Sequence, residues 1–182
     1  MVALYIFKTM ANYKKIIPHI LHWEGGWVND VDDPGGATMK GITFLTFKAY
    51  RKAIKGKTPT ITDLKNISDV EWEAVFKKFF WDRCKGDQIQ NQNIANMIVD
   101  WTWSSGKWGI IIPQRILGVT ADGLIGPATI QAINNYPNQK ELFNKLVAAR
   151  KKYYEDIVKN RPTSKKYLKG WLNRLNALKW EE

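Results

Sequence analysis

Apolar residues recur every three or four positions along much of the chain, which is the spacing of an amphipathic helix. The first stripe of this kind contains Tyr13, Ile16, Ile17, Ile20, Leu21 and Glu24. Pro18 lies inside the segment and lacks a backbone N–H, so it predicts either a kink or a late start of the helix. The pattern predicts a helix from about Asn12 to Glu24, with a carboxyl group on its apolar face.

Capping residues mark the next two helices. Thr43 can cap a helix that runs through Phe44 and Tyr50. Ser68 and Glu71 have the spacing of a capping box. The aromatic helix that this box opens is expected to run through Trp72, Val75, Phe76, Phe79 and Phe80.

The middle of the chain predicts a buried helix, a turn and a short helix. Residues 94–103 have the composition of a buried helix and residues 104–109 that of a turn. Residues 113–117 then predict a short helix that ends at Gly118.

The last third of the chain predicts three further helices. Gly126 and Pro127 suit the N-cap and the first position of a helix. A long helix is expected from about Gln139 to Lys159, followed by a terminal helix over 167–180. The apolar face predicted for the long helix contains Leu142, Leu146, Ala149, Tyr153 and Ile157.

Turn-forming residues interrupt the helical pattern in two places. Residues 27–41 are rich in Asp, Gly and Pro, and Asp122 with Gly123 marks a second turn. The expected fold class is therefore all-α, with one short β-hairpin near residues 32–43.

The composition is that of a folded protein with an unusual supply of tryptophan. Of 182 residues, 45% are hydrophobic and 25% are charged, so long disordered stretches are not expected. This length permits one domain or two small ones packed together. The nine tryptophans offer surfaces that stack on sugar rings, although packing in the core is the ordinary use of most of them.

The chain is strongly basic, with 28 Lys and Arg against 17 acidic residues and a formal net charge of +11. Such a field attracts polyanions, including nucleic acid, acidic membrane surfaces and bacterial wall polymers. The basic residues are spread along the chain, as on a solvated basic surface. No motif that reads nucleic acid accompanies the charge, so no nucleic-acid partner is expected.

Metal and disulfide chemistry are not expected. The single cysteine, Cys84, excludes an internal disulfide and is expected to be a small buried residue. His19, His22 and Cys84 lack the spacing of a zinc site. The acidic cluster at residues 30–33 lacks the remaining positions of a calcium loop. We therefore expect no cofactor.

No segment approaches the roughly 20 apolar residues that cross a bilayer. The N-terminal stretch MVALYIFKTMANYKK has a short apolar run without a basic region before it or a small-residue cleavage site after it. We expect neither a signal peptide nor stable insertion in a membrane.

The segment WEGGW at residues 23–27 suggests acid catalysis. Gly25 and Gly26 tolerate the left-handed conformation that ends helices, so Glu24 is expected in the last turn, where the helix dipole is negative. This position beside Trp23 or Trp27 disfavours the ionised carboxylate, so we expect Glu24 to keep its proton and act as a general acid. An ordinary helix end is the alternative.

A second acidic residue follows in the adjacent loop. Glycoside hydrolysis needs an acid that protonates the leaving oxygen and a second group on the other face of the sugar. Asp33 can supply that group, and Thr38 can share the attacking water. An Asp before Pro34 is also a common way to begin a turn. Sequence spacing does not decide between an inverting and a retaining reaction.

Candidate substrate-binding residues lie in two segments. Gly35 and Gly36 allow close approach of a polysaccharide to the backbone, although a tight hairpin needs glycines too. Asp100 follows an apolar run and is expected to be a buried anchor for loop amides rather than a third catalytic acid. Three tryptophans are candidate walls of a sugar groove: Trp27, Trp101 and Trp103.

Four segments resemble the glycoside hydrolase 108 family of bacterial and phage N-acetylmuramidases. HWEGGWVNDVDDPGGATMKGIT at 22–43 is similar to the family pattern of E-G-G, then D-D-x-G-G, then T-x-x-G-I-T. The others are VDWTWSSG at 99–106, QRILGVTADGLIGPAT at 114–129 and KGWLNRL at 169–175. The last two resemble the peptidoglycan-binding portion that accompanies this catalytic region, and the likeness leaves out only residues 1 to about 11.

The resemblance implies a helical lysozyme-like fold that cleaves the β-1,4 bond between N-acetylmuramic acid and N-acetylglucosamine in peptidoglycan. It assigns the catalytic acid to Glu24. The E-x8-D-x4-T layout also resembles that of phage lysozymes, which implies that Asp33 and Thr38 lie near the attacking water. Many relatives have Asn where this chain has Ser104, and often Asn where it has Met39. Ser104 is therefore included among the candidate sugar contacts.

The resemblance also implies an organisation and a partner. Residues 1–93 are expected to be the catalytic region and residues 94–182 a helical peptidoglycan-binding region packed against it as one compact unit. Peptidoglycan is the expected partner, on which the basic charge would concentrate the protein. We expect a protein made in the cytoplasm that reaches the periplasm or the cell exterior by export or lysis. A non-catalytic peptidoglycan-binding or secretion accessory protein is the alternative.

Overall fold

The computed structural model describes residues 10–29 and 36–182. The chain divides into two compact units, Lys14–Arg83 and Met1–Tyr13 with Cys84–Glu182. We call these the small unit and the large unit. Helices form most of the described chain, and one small antiparallel sheet accompanies them, which confirms the predicted fold class.

The small unit contains four helices and a three-stranded sheet within its described residues. The helices are α1 (Ile17–Trp23), α2 (Phe44–Ala53), α3 (Ile61–Lys65) and α4 (Asp69–Phe76), the last continuing as a π-helical turn over Lys77–Trp81. The strands are β1 (Trp27–Val28), β2 (Thr38–Met39) and β3 (Ile42–Thr43).

The first helix begins late, as Pro18 predicted. A 3-10 turn over Tyr13–Lys15 precedes α1, and Pro18 occupies the first turn, where its missing N–H breaks no intrahelical hydrogen bond. Ile17 and Ile20 are buried, so the predicted apolar face packs into the unit.

The end of α1 differs from the prediction. Glu24 follows the helix in extended conformation, with φ −92° and ψ 139°, and the chain continues into β1. Gly25 and Gly26 are not among the described glycines with positive φ. The predicted left-handed glycine cap is therefore wrong: the helix ends because the chain leaves it to join the sheet.

The three strands pair in the order β1-β2-β3. Trp27 lies opposite Met39, and Met39 lies opposite Ile42. Lys40 and Gly41 connect β2 to β3 with φ values of 46° and 77°, which suit a two-residue hairpin of the I′ type. The predicted hairpin is confirmed, and β1 is an additional strand that the sequence pattern did not indicate.

Two helices hold this hairpin in place. The backbone N–H of Phe44 donates to the carbonyl of Ala37 at 2.8 Å. The indole N–H of Trp72 on α4 donates to the carbonyl of Lys40 at 2.9 Å. Thr43 ends β3 and caps α2, since its hydroxyl accepts from the N–H of Thr46 at 3.2 Å. The position of β2 is therefore fixed through both ends of the hairpin.

Only one of the two hydrogen bonds of the predicted capping box is found at the start of α4. The Ser68 hydroxyl accepts from the N–H of Glu71 at 3.2 Å. The Glu71 carboxylate instead pairs with Arg51 on α2, whose Nε lies 2.7 Å away. The acidic member of the predicted box therefore joins two helices.

The large unit is built from five helices in its described residues. They are α5 (Gln92–Ser105), α6 (Trp108–Leu117), α7 (Pro127–Asn134), α8 (Gln139–Asn160) and α9 (Lys165–Ala177), with 3-10 turns at Gly86–Gln88 and Pro162–Ser164. Helix α5 packs against α6 and α8, and α8 packs against α9. No described helix has the length and apolar character needed to cross a membrane.

Two predictions about these helices are wrong in detail. Helix α6 begins at Trp108 rather than at Pro113, because Gly106, with φ 58°, completes the turn after α5 early. On α8 the buried stripe contains Leu142, Phe143, Leu146, Arg150 and Tyr154. The predicted members Ala149, Tyr153 and Ile157 are only partly buried. The cap and first residue of α7, Gly126 and Pro127, are confirmed.

Gly109 permits the close approach of α6 to α5, and we expect Gly109→Ala to destabilise the large unit. A Cβ at this position would overlap the backbone of Trp101 and Thr102, which cannot move without shifting α5. Overpacking of this kind costs about 1–3 kcal/mol. Urea unfolding of the variant measures the loss, with Gly170→Ala, where the Cβ meets no described atom within 4 Å, as control. Equal stability of the two variants would contradict the close packing.

Candidate active site

Glu24 lies at the junction of α1 and the sheet in the small unit. Its side chain is partly exposed, and its backbone follows directly on the negative end of the helix dipole. Only Gly25 and Gly26 separate it from Trp27 on β1, a span of at most about 10 Å. The chain therefore places Glu24 between the end of α1 and the start of the sheet.

Thr38 and Gly36 lie on the strand side of this junction. Thr38 on β2 pairs with Val28 on β1, and its hydroxyl donates to the carbonyl of Gly36 at 3.4 Å. Gly36 has φ 64°, and no described atom lies within 4 Å of the position a Cβ would take. Three of the predicted site residues, Glu24, Gly36 and Thr38, therefore lie in the small unit.

Asp33 and Gly35 lie outside the described residues. They belong to the connection between β1 and β2. Their roles as second carboxyl group and substrate contact stay predictions.

Trp27 on β1 is partly buried and has a cation beside its ring. The ammonium nitrogen of Lys65 on α3 lies 5.8 Å from the ring centroid, a cation–π contact. The remaining exposed part of the indole stays a candidate sugar surface.

The second set of predicted residues lies on α5 in the large unit, around a buried ionic cluster. Asp100 is 0% exposed and pairs with two arginines: Arg150 Nη2 on α8 and Arg174 Nη2 on α9, each at 2.7 Å. The Arg150 side chain is itself fully buried. Asp100 is therefore a buried anchor, as expected, but for arginines of two other helices rather than for loop amides.

Burial decides between the predicted roles of the α5 residues. Asp100 and Trp101 are both 0% exposed, which argues against their predicted contact with a saccharide. Trp103 is partly buried and Ser104 is exposed. The Ser104 hydroxyl accepts from Arg150 at 3.1 Å and donates to the carbonyl of Trp101 at 3.3 Å. Sugar contacts by Trp103 and Ser104 stay predictions.

The sequence analysis did not predict a role for Arg150 or Arg174, although the sequence contains a feature that points to each. Arg150 continues the i, i+4 series of Leu142, Leu146 and Tyr154, so it occupies an apolar face. A charge in such a position requires a buried partner. Arg174 lies in the segment KGWLNRL and Asp100 in VDWTWSSG. The ion pair thus joins two of the four segments that carry the family resemblance.

The segment QRILGVTADGLIGPAT has a structural role in the turn before α7. The buried Gln114 amide donates to Asp122 Oδ1 at 3.0 Å and to the carbonyl of Leu124 at 2.9 Å. Its oxygen accepts from the N–H of Gly123 at 2.9 Å. Hydrogen bonds from the backbone N–H of Leu124 and from Gln114 lower the pKa of Asp122 below its usual range. These residues fix the turn rather than offer free groups to a ligand.

In the part of the chain that the structure describes, no group of three or more His, Cys, Asp or Glu side chains is placed to hold a metal ion. Cys84 is buried, with its sulfur 3.4 Å from the Thr102 hydroxyl.

Two family models match the chain in succession. Residues 17–106 match the family model described as Glycosyl hydrolase 108, and residues 108–176 match the model described as Predicted Peptidoglycan domain. The chain is a glycoside hydrolase that acts on peptidoglycan, and its residues 17–106 belong to the glycoside hydrolase 108 family.

A solved structure has the same overall fold. The chain is similar to that of "Structure of Brucella abortus SagA", with 27% sequence identity and a TM-score of 0.74. The similarity covers 91% of this chain and 90% of that chain. The comparison with curated proteins gave no match.

The boundaries of the two family models differ from those of the compact units. The first model includes all of α5, which the structure assigns to the large unit. The predicted boundary between residues 93 and 94 lies in the first turn of α5. A division of the activity between residues 1–93 and 94–182 stays a prediction.

Proposed function

We propose that this protein is an N-acetylmuramidase that hydrolyses the β-1,4 bond between N-acetylmuramic acid and N-acetylglucosamine, with Glu24 as proton donor. The observation that carries the proposal is the place of Glu24 within the matched glycosyl hydrolase region. It is partly exposed, directly after α1, and close in sequence to the strand that pairs with Thr38.

The proposed reaction transfers one proton at the start and one at the end. The Glu24 carboxyl group gives its proton to the bridging oxygen of N-acetylglucosamine, and the bond from that oxygen to C1 of N-acetylmuramic acid breaks. Water then bonds to C1 and loses a proton to a carboxylate. In an inverting reaction that carboxylate is Asp33, with Thr38 holding the water. In a retaining reaction Asp33 first bonds to C1; water then displaces Asp33 from C1, the Asp33–C1 bond breaks, and Glu24 takes the proton of water.

The wall polymer is also the proposed partner in binding. The net charge of +11 favours accumulation on an anionic wall and makes that accumulation sensitive to salt. We further propose that the protein is made in the cytoplasm and reaches the wall after export or lysis, in the manner of a phage endolysin or of an enzyme delivered by secretion machinery.

Mass spectrometry of the products tests which bond is cut. We expect digestion of purified peptidoglycan to release muropeptides that end in reducing N-acetylmuramic acid. Because borohydride reduces such an end, it labels the sugar that carried the broken bond. Reducing N-acetylglucosamine, a 1,6-anhydro end without added water, or free peptides would each contradict the proposal and name a different reaction.

A further inference from the structure

An open cavity of about 570 Å³ lies between α6 and α8 of the large unit. Its apolar lining comes from Trp108 and Ile112 on α6 and from Ala149, Tyr153 and Ile157 on α8. The three α8 residues are the ones that the sequence predicted for the core and that the structure leaves partly exposed. The packing of α8 therefore leaves part of this apolar surface uncovered.

Two aromatic rings give the cavity a surface suited to sugars. Trp108 is 39% exposed, and its ring lies 6.5 Å from that of Tyr153. The buried ring of Trp101 supports Tyr153 from within, at 6.0 Å. Aromatic rings held in this way present an apolar face to the C–H groups of a pyranose without losing conformational freedom on binding.

Cationic side chains line the same cavity. Arg115, Lys152 and Arg161 are accompanied by one acid, Asp156, which Lys152 pairs with at 3.1 Å. Within the described chain, neither Arg115 nor Arg161 forms an ion pair or a side-chain hydrogen bond with another residue. A guanidinium group binds carboxylates through two parallel N–H donors, so both arginines have unused capacity for an acidic ligand.

We propose that this cavity is a second, non-catalytic binding site for peptidoglycan. Trp108 and Tyr153 contact an N-acetylated amino sugar, while Arg115 and Arg161 bind carboxylates of the muramic acid or of its peptide. A volume of about 570 Å³ is in the ordinary range for ligand sites, roughly 300–1,000 Å³. The inference rests on the proposed function only because both involve peptidoglycan. Binding in the cavity does not need Glu24.

Binding of soluble fragments to the full chain tests the site. In a Glu24→Gln background, calorimetry compares a disaccharide-peptide, the disaccharide without peptide, and chitotetraose, which has no carboxylate. We expect the double variant Arg115→Gln with Arg161→Gln to weaken binding of at least one of the two acidic ligands by about tenfold or more. Its affinity for chitotetraose should be unchanged. Which acidic ligand loses affinity shows whether the peptide or the lactyl group supplies the carboxylate.

Matched variants control for charge and for loss of an aromatic ring. Lys165→Gln with Lys169→Gln makes the same charge change on exposed α9 residues that do not line the cavity. Tyr167→Ala removes an exposed α9 ring, whereas Trp108→Ala removes the cavity ring and should weaken all three ligands.

Three results separate the site from the proposed catalysis. Unchanged affinity of the arginine variant for both acidic ligands would overturn the inference, and equal weakening of chitotetraose would overturn the carboxylate assignment. Hydrolysis of the ligands by the Glu24→Gln protein would count against the catalytic proposal alone, since affinity measured at the start of the reaction still reports on the cavity.

Discussion

Glu24→Gln is expected to abolish most lysis of peptidoglycan while leaving the protein folded and bound to the wall. Glutamine has nearly the same shape but no proton to give to the leaving oxygen. General acid catalysis contributes about 10²–10⁴-fold to a rate, so the variant should clear wall suspensions slower by that factor. Loss of turbidity at equal protein concentration measures the effect.

The control for this experiment is Glu73→Gln, which makes the same chemical change on α4 of the same unit. It should lyse the wall at the rate of the unmodified protein. Sedimentation with insoluble peptidoglycan should be equal for all three proteins, since binding does not use the Glu24 proton. Full lysis by Glu24→Gln would contradict the assignment, and binding without lysis by the unmodified protein would favour the accessory function.

Asp100→Asn is expected to lower the free energy of unfolding by about 3–5 kcal/mol, because it leaves two arginines without their buried counter-charge. Arg150 is fully buried, and Arg174 is 11% exposed in its side chain, so water reaches neither group freely. The asparagine keeps the volume of the side chain, so the loss reports on charge rather than on packing. Urea unfolding followed by tryptophan fluorescence measures it.

Two further variants show that the loss comes from burial. Asp82→Asn breaks an exposed pair with Lys77, at 2.6 Å, and should cost no more than about 1 kcal/mol. Replacing Asp100, Arg150 and Arg174 together by Leu, Met and Leu should recover most of the stability lost by Asp100→Asn, since apolar residues need no counter-charge. A loss below about 1 kcal/mol for Asp100→Asn would contradict the ionic cluster.

Local signals in the sequence predicted the helices and the hairpin well. Thr43, Ser68, Gly118 and Pro127 each act on backbone groups within four residues, so their effect is readable without the rest of the chain. Strand β1 was not predicted, because two residues are too few to show an alternating pattern. Its pairing with β2 also explains why Glu24 adopts an extended conformation instead of a glycine cap.

The partners of the buried ionic cluster could not be predicted from local sequence. Asp100 was recognised as a buried acid from its apolar surroundings, but its partners lie 50 and 74 residues further along the chain. No local pattern pairs residues at such distances, and the packing of α5 against α8 decides it. Helix packing also explains why Ala149, Tyr153 and Ile157, which were predicted for the core, line the cavity instead.

The dependence of the rate on the leaving group tests most directly whether Glu24 is the proton donor. A dinitrophenyl glycoside of the same glycan releases a stable phenolate and needs no acid, whereas the natural sugar oxygen does. Relative to the unmodified protein, Glu24→Gln should be slower by about 10²–10⁴-fold on the natural glycan. In the first turnover of the dinitrophenyl glycoside, before a retaining reaction would need Glu24 as a base, it should be slower by less than about tenfold. Equal slowing on both substrates, or on neither, would contradict a role for Glu24 in protonating the leaving oxygen.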